Sequence, residues 1–314
     1  MPGPDCCHKG APLSDLSLYL STVLIWGSTW FAIKLQLGVV PPAVSVTWRF
    51  LAAATLLLGY ALVRRLPLRF GARDHLWMAL QGLLLFCLNY VGFYLAEQSI
   101  PSGLTALICS MLTVGNIIGM RFFFDVRTHV TNLAGAAIGI AGVVLLFWPD
   151  LHSLSATNAT TIGVMLAVGA TVSASLGNMV ATRNQRHHLP ILQVNGWAML
   201  YGAVITGAAA AAMREKFIFE PSWRYVSSLA YLAVFGSIIA FGAYLTLMKR
   251  IGAHRAGYTM VAIPVVALLI STWAENLRWT ATLWTGVALC LAGNVLVLAY
   301  RPSPSREGLA KSRP

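Results

Sequence analysis

The sequence predicts an all-α membrane protein with ten transmembrane helices, arranged as two inverted five-helix repeats. Three observations lead to this fold class: ten apolar stretches fill most of the 314 residues, only 10% of the residues are charged, and the last five stretches resemble the first five. A soluble domain carries about 25% charged residues, so the missing charge indicates a lipid-facing surface. The apolar runs are continuous and longer than the alternating segments of about 10 residues in β-barrels, which favours helices.

A hydrocarbon core about 30 Å thick needs about 20 apolar residues in helical form, because backbone amides find no water there. The chain satisfies this requirement ten times. The expected spans are 16–35, 42–63, 75–96, 102–121, 128–148, 160–181, 190–213, 224–247, 254–274 and 280–300.

The net charge of +12 is concentrated beside these spans. If the N-terminus is cytoplasmic, most lysines and arginines fall on the cytoplasmic side, as the positive-inside rule requires. We therefore expect a multi-pass protein of the cell (inner) membrane with both termini in the cytoplasm. No basic stripe is interleaved with aromatic residues, so a nucleic-acid partner is not expected.

The second half of the chain repeats features of the first. An odd number of spans per copy places the two halves in opposite orientations across the membrane. The expected organisation is a cytoplasmic leader (1–15), a first repeat (16–148), an outside loop (149–159), a second repeat (160–300) and a basic cytoplasmic tail (301–314). A shift of 151 superposes Arg127 on Arg278, Thr131 on Thr282, Gly135 on Gly286 and Gly142 on Gly293, and a shift of 148 pairs Pro42 with Pro190.

Several short motifs occur in a specific order. They are I-W-G-S-T-W-F at 25–31, P-P-A-V-S-V-T-W-R-F-L-A-A-A at 41–54, A-E-Q-S-I-P-S-G-L at 96–104, F-G-S-I-I-A at 235–240, A-I-P-V-V-A at 262–267 and T-G-V-A-L-C-L-A-G at 285–293. With these motifs the chain resembles, over about residues 16–300, the EamA-type transporters of the drug/metabolite transporter superfamily.

That resemblance implies a secondary carrier that works by alternating access, with a cavity lined mostly by helices one, three, four, six, eight and nine. It implies export of amino acids or related small metabolites. A multidrug or nucleoside-like exporter is an alternative, and a non-transporting membrane scaffold or receptor is an alternative of a different class. The chain departs from the family at Thr113, where a proline equivalent to Pro264 is expected. Helix four is therefore expected to be straighter than helix nine.

Polar and aromatic residues within the spans are the candidates for substrate binding. On helix three, residues three or four apart share a face, and aromatic rings with a few hydrogen-bonding groups suit a small amphipathic molecule. Ordinary interhelical packing is the alternative for the same residues. The candidates are Trp26, Trp30, Phe86, Asn89, Tyr90, Phe93, Asn178, Ser237, Phe241 and Tyr244.

Arg49 is the most unusual residue, because it lies about 12 Å below the start of helix two, at 1.5 Å per residue. An arginine at this depth must face protein or water. It is expected to clamp either helix-end carbonyls, with Glu97 as an ion partner, or an anionic group of the cargo. Pro264 removes a backbone hydrogen bond within helix nine and is the expected kink or gate.

Enzymatic function is not expected. No histidine or cysteine spacing suits a metal, and neither a P-loop nor a nucleophile with its base is present in the spans. The expected partners are a small-molecule substrate and the lipid bilayer, without a cofactor or metal. We expect a monomer, with a dimer as the alternative. Because all acidic residues lie in loops or at helix ends, facilitated diffusion or exchange is favoured over proton antiport.

Overall fold

The computed structural model describes residues 14–126, 129–146, 159–251 and 258–299. Within these ranges all regular structure is helical. Most of the predicted leader and outside loop, and the whole predicted tail, lie outside the described residues.

The described residues form ten helical rods, numbered in chain order. Eight contain segments that are long and apolar enough to cross a membrane, and α5 and α9 are shorter apolar helices. This confirms an all-helical protein with many apolar helices. The bounds are α1 Asp15–Lys34, α2 Pro42–Val63, α3 Ala72–Ala96, α4 Ser102–Phe124, α5 Val130–Leu146, α6 Ala159–Arg186, α7 Ile191–Ala212, α8 223–251, α9 Thr259–Ala274 and α10 Ala281–Ala299.

Local sequence sets several helix starts. The Ser14 hydroxyl accepts a hydrogen bond from the amide of Ser17 at 3.1 Å and caps α1. Ser222 caps α8 in the same way through the amide of Tyr225. Proline needs no amide partner at a helix start, which explains Pro42 in the first turn of α2.

Two helices contain a π-helical segment, Gly82–Leu88 in α3 and Tyr231–Ile239 in α8. The shift of 151 that relates the two halves places these segments over each other. In α8 the wider turn brings the hydroxyl of Ser237 to the carbonyl of Leu232, five residues earlier, at 3.0 Å. Such segments occur often at functional sites, and the periodicity of the sequence did not reveal them.

α4 is interrupted at Met111, between helical segments Ser102–Ser110 and Leu112–Phe124. The expectation that helix four is straighter than helix nine was therefore wrong. The hydroxyls of Ser110 and Thr113 donate to the carbonyls of Leu107 and Ser110 at 2.6 and 3.1 Å, and such side-chain bonds compete with the helical ladder. By contrast, α9 is continuous around Pro264.

α5 and α10 pack backbone to backbone along a seam of glycines. A Cβ added to Gly293 would lie 2.5 Å from the amide nitrogen of Gly139, and one added to Gly142 would lie 2.7 Å from that of Cys290. The sequence left open whether the glycines of helix five serve internal packing or dimerisation. In the structure α10 of the same chain packs against these glycines, so they serve packing within the chain.

Contacts between distant residues define the two ends of the bundle. At the first, called the Lys34 end, Lys34 lies near the carboxyl of Glu275, with Nζ and Oε2 3.8 Å apart. At the second, called the Asp15 end, Asp15 and Arg250 form an ion pair of 3.3 Å. The candidate site lies towards the Lys34 end.

Candidate functional site

Arg49 is fully enclosed in the bundle, with 2% of its surface exposed. Its guanidinium carbon lies 4.6 Å from the ring centre of Tyr90 on α3 and 5.3 Å from that of Phe50. Gly236, in the π-helical segment of α8, provides room beside it, because an added Cβ would lie 3.5 Å from Nη2 of Arg49. The guanidinium therefore lies where α2, α3 and α8 meet.

The guanidinium of Arg49 is stacked but poorly hydrogen-bonded. Nε and Nη1 have no hydrogen-bond partner within the described part of the chain. The expected ion pair with Glu97 is also not formed in the described structure, because neither carboxyl oxygen of Glu97 has a partner there. The described contacts of Arg49 are with aromatic side chains, namely the rings of Phe50 and Tyr90 and the hydroxyl of Tyr94. Its free N–H groups can bind water or an anionic group.

Glu97 follows the end of α3 and is completely buried. Close by in the sequence, Tyr94 donates a hydrogen bond of 2.6 Å to Oε1 of Gln36, whose Nε2 has no partner among the described residues. Lys34 donates to the main-chain carbonyl of Glu97 at 2.5 Å rather than to its carboxyl. The Lys34 end thus buries both donors and acceptors that the described chain leaves unpaired.

Glu275 connects α9 to the start of α4. Its carboxyl accepts two bonds of 3.2 Å from the amide of Ser102 and a further bond from the Ser102 hydroxyl. Together with the contact of Lys34, this forms a polar bridge, defined here as Lys34, Ser102 and Glu275, between α1, α4 and α9. Sequence reasoning treated Glu275 as an ordinary helix-end residue and missed this bridge. The available signal was a serine directly after Pro101, at the predicted start of a helix.

An aromatic cluster joins α1 to α8. Trp26 lies 5.1 Å from Phe241 and 5.4 Å from Tyr244, measured between ring centres. Its indole nitrogen donates to the carbonyl of Gly236 at 3.0 Å. The structure thus brings together three predicted site residues from opposite halves of the chain. All three rings are partly exposed.

The predicted face of α3 is divided in the structure. Phe86 is buried against Phe50, with ring centres 5.1 Å apart. Tyr90 contacts the same ring, whereas Phe93 packs on Trp30 of α1 at 5.0 Å. A single pocket face was expected from regular α-helical spacing.

The remaining polar candidates bond to neighbouring helices or to their own backbone. Asn178 on α6 donates to Asn116 on α4 at 3.3 Å, and Asn89 donates to the Leu85 carbonyl at 3.1 Å. Ser237 donates to its own helix, as described above. These contacts favour the packing alternative for these three residues.

α4 parts from α9 at the break, whereas both of its segments pack on α6. Before Met111 it packs on α9, where a Cβ added to Gly103 would lie 2.9 Å from Cα of Leu268. After the break it packs on α6, and a Cβ added to Gly115 would lie 2.8 Å from the Ser175 hydroxyl. Pro264 is buried within α9. α4 and α9 are therefore held together near the polar bridge.

A cavity of about 580 Å³ opens at the surface of the Lys34 end. The polar bridge forms part of its wall through Lys34 and Glu275, and Gln98 and Arg224 add further polar groups. Within the described ranges, no cluster of histidine, cysteine and acidic residues could hold a metal ion.

Comparisons with known proteins agree with this architecture. A family model described as the EamA-like transporter family matches residues 14–148 and 161–299. The "Uncharacterized inner membrane transporter YedA" of Escherichia coli (strain K12) is 31% identical over 278 residues, with 87% of both chains covered. The "Probable amino-acid metabolite efflux pump" of the same strain is 26% identical over 300 residues, which cover 91% of this chain and 96% of the relative.

A solved structure titled "Crystal structure of protein" superposes with a TM-score of 0.63 at 18% identity, over 90% of this chain and 95% of that chain. At this identity the similarity shows a common fold. The family model and the YedA relative each cover most of the chain. The chain is therefore a multi-pass membrane transporter that belongs to the EamA-like transporter family.

Proposed function

We propose that the chain is a secondary carrier that exports amino acids or related small metabolites by alternating access. The observation that carries this proposal is the polar bridge at the Lys34 end, combined with the break in α4. The bridge holds α1, α4 and α9 together at one end, and beyond the break α4 parts from α9 but stays packed on α6. α4 and α9 are joined at the Lys34 end and separate beyond the break. Such a helix pair can close one side of a pathway while the other side opens.

Two inverted repeats of five helices around a central cavity are part of the proposal. The directions of the helices support it: α1 ends at the Lys34 end, whereas α6 begins there. Near the start of α6, a Cβ added to Gly163 would lie 3.1 Å from Cβ of Ser99 and 3.3 Å from the Ala96 carbonyl. The matching π-helical segments of α3 and α8 also support a duplicated architecture.

We propose that the Lys34 end faces the outside of the inner membrane and that both termini are cytoplasmic. The distribution of positive charge supports this orientation.

Accessibility of engineered cysteines to an impermeant maleimide in intact cells tests this orientation. Gln98 and Gln185 are both exposed and lie at opposite ends of the bundle. Labelling after Gln98→Cys and none after Gln185→Cys is expected, and the reverse pattern would contradict the orientation.

The proposed substrate site combines the rings of Trp26, Phe241 and Tyr244 with the free N–H groups of Arg49. The guanidinium suits the carboxylate of an amino acid, and the aromatic cluster suits its side chain. The name of the Escherichia coli efflux pump is consistent with this class. Trp30, Tyr90 and Phe93 are proposed as further wall residues.

A multidrug or nucleoside-like exporter is the second candidate. The observation that favours it is the aromatic cluster itself, because aromatic rings also stack on heterocycles and organic cations. A scaffold or receptor without transport would show no flux in any assay.

The test begins with thermal unfolding of the purified protein in the presence of L-amino acids, nucleosides and tetraphenylphosphonium. A ligand at about 100 times its Kd stabilises the folded state by about 2.7 kcal/mol. Any stabilising compound is then tested for counterflow in proteoliposomes. Stabilisation by L-amino acids, followed by counterflow, is the expected result. Binding without counterflow would contradict a carrier, and stabilisation only by nucleosides or the cation would favour the second candidate.

A pair of matched variants locates the site. Trp26→Ala removes a ring from the aromatic cluster, whereas Trp273→Ala removes a ring that is 91% exposed on α9. Counterflow should fall in the first variant and remain in the second. Equal activity of both variants would exclude the aromatic cluster from the pathway.

A further inference from the structure

Two carboxyl groups at the Lys34 end have opposite surroundings. Glu275 accepts bonds from the amide and hydroxyl of Ser102 and lies 3.8 Å from the Lys34 ammonium. Glu97 is 0% exposed, and neither of its carboxyl oxygens has a hydrogen-bond partner in the described structure. The Glu275 carboxyl has hydrogen-bond donors and a cation beside it, whereas a negative charge on Glu97 would be left without compensation.

The charged and titratable groups around Glu97 do not supply that compensation. Lys34 of α1 uses its ammonium on the main-chain carbonyl of Glu97 and on Glu275. Arg49 of α2 forms no ion pair with Glu97 among the described contacts, and its guanidinium stacks on Tyr90. On α3, the Tyr94 hydroxyl donates to Gln36. The negative charge of Glu275 adds repulsion.

An unpaired carboxylate in a water-free interior is normally avoided by taking up a proton. Burial raises the pKa of the Glu97 carboxyl well above its ordinary value, and the Lys34 ammonium opposes this only in part.

We propose that Glu97 is a proton-binding site that is occupied in the arrangement described here. The proton comes from solvent at the Lys34 end, where Gln98, the next residue, lines the cavity of about 580 Å³ together with Lys34 and Glu275. Separation of the polar bridge would expose Glu97 to this cavity and release the proton. Coupling of this proton to transport rests on the proposed function, whereas the protonation itself does not.

The sequence placed every acidic residue in loops or at helix ends and therefore favoured diffusion or exchange over proton antiport. Complete burial of Glu97 changes that argument. Neighbouring helices cover this helix-end position and shield the Glu97 carboxyl from solvent. The positions of the acidic residues therefore no longer argue against proton coupling.

Infrared spectroscopy of the purified protein in lipid nanodiscs tests the proposal without a substrate. A protonated carboxyl absorbs at a higher C=O stretching frequency than a carboxylate. At pH 7 the wild-type protein should show this band, Glu97→Gln should lack it, and Glu275→Gln should retain it. Glu97→Asp should keep a carboxyl band at a shifted frequency, so the assignment does not depend on the glutamine variant alone.

A wild-type spectrum at pH 7 without a protonated carboxyl band would overturn the proposal. So would a band that Glu97→Gln and Glu97→Asp both leave unchanged. Because these spectra need no transported compound, they remain interpretable even if the protein shows no counterflow. A protonated Glu97 without any flux would contradict the carrier and leave the proton site in place.

Discussion

The hydroxyl of Ser102 should determine how strongly the Lys34 end is held closed. Ser102→Ala removes its bond to Glu275 and keeps the two amide bonds of 3.2 Å. A hydrogen bond to a charged group contributes about 1.5–3 kcal/mol. The Glu275 side chain is only 11% exposed, so solvent weakens this contribution little. If Glu275 and Ser102 separate on opening, the open population should rise about 10- to 140-fold, at 1.4 kcal/mol per factor of ten.

The rate of cysteine modification measures this population. A background without the five native cysteines carries Ile100→Cys, at a position that is 2% exposed in the described arrangement. An impermeant maleimide added to intact cells should modify this thiol slowly in the described arrangement, where Ile100 borders the cavity of the Lys34 end, and faster when that end opens. Gln98→Cys, at an exposed position, gives the rate without any opening step. Ser102→Thr keeps a hydroxyl and serves as the matched control.

The modification rate at position 100 should increase with Ser102→Ala and change little with Ser102→Thr. An unchanged rate with Ser102→Ala, in protein that is folded and reactive at position 98, would refute the role of the bridge as a closing contact. Equal increases in both variants would instead indicate general loosening of the start of α4.

Three further variants test the site and the packing. Arg49→Lys should weaken counterflow of anionic cargo without reducing the yield of folded protein, and equal loss of folded protein in the lysine and alanine variants would favour a structural role. Pro264→Ala should fold normally but transport more slowly, and full transport would remove the gate. Gly293→Ala forces α5 and α10 apart and should destabilise the protein by about 1–3 kcal/mol in thermal unfolding. Gly242→Ala, which has open space around it, is its control and should not lower stability; equal losses would argue against the glycine seam.

The positions of the helices were largely predictable, because each helix must satisfy its backbone hydrogen bonds within itself and bury apolar length in lipid. Helix two was predicted at 42–63, and α2 has these bounds. The break at Met111 was not predicted, because the hydroxyls of Ser110 and Thr113, and not a proline, compete with the helical hydrogen bonds there. Proline is only one of several ways to interrupt a helix.

The π-helical segments depend on contacts between helices, which periodicity does not contain. A Cβ added to Gly82 would lie 2.4 Å from the Ala198 carbonyl on α7, and one added to Gly236 would lie 2.9 Å from Thr29 on α1. Both segments thus contain a glycine in close contact with another helix.

The candidate site was predictable only where each helix contributes one regular face. Trp26 and Phe241 were both named from sequence, and the structure brings them together. Phe86 and Phe93 were assigned to one face, but they lie in different hydrophobic clusters. The bond between Glu275 and Ser102 joins residues 173 positions apart, and no local pattern indicates such a pair.

The glycine seam between α5 and α10 has a practical consequence for measuring motion. Two backbones in direct contact cannot slide past each other without steric clashes. The α5–α10 pair should therefore move as one rigid body. Spin labels on its lipid-facing sides would report the same separation in every state of the cycle. That constant distance between α5 and α10 would be an internal reference for measuring displacements of α4 and α9.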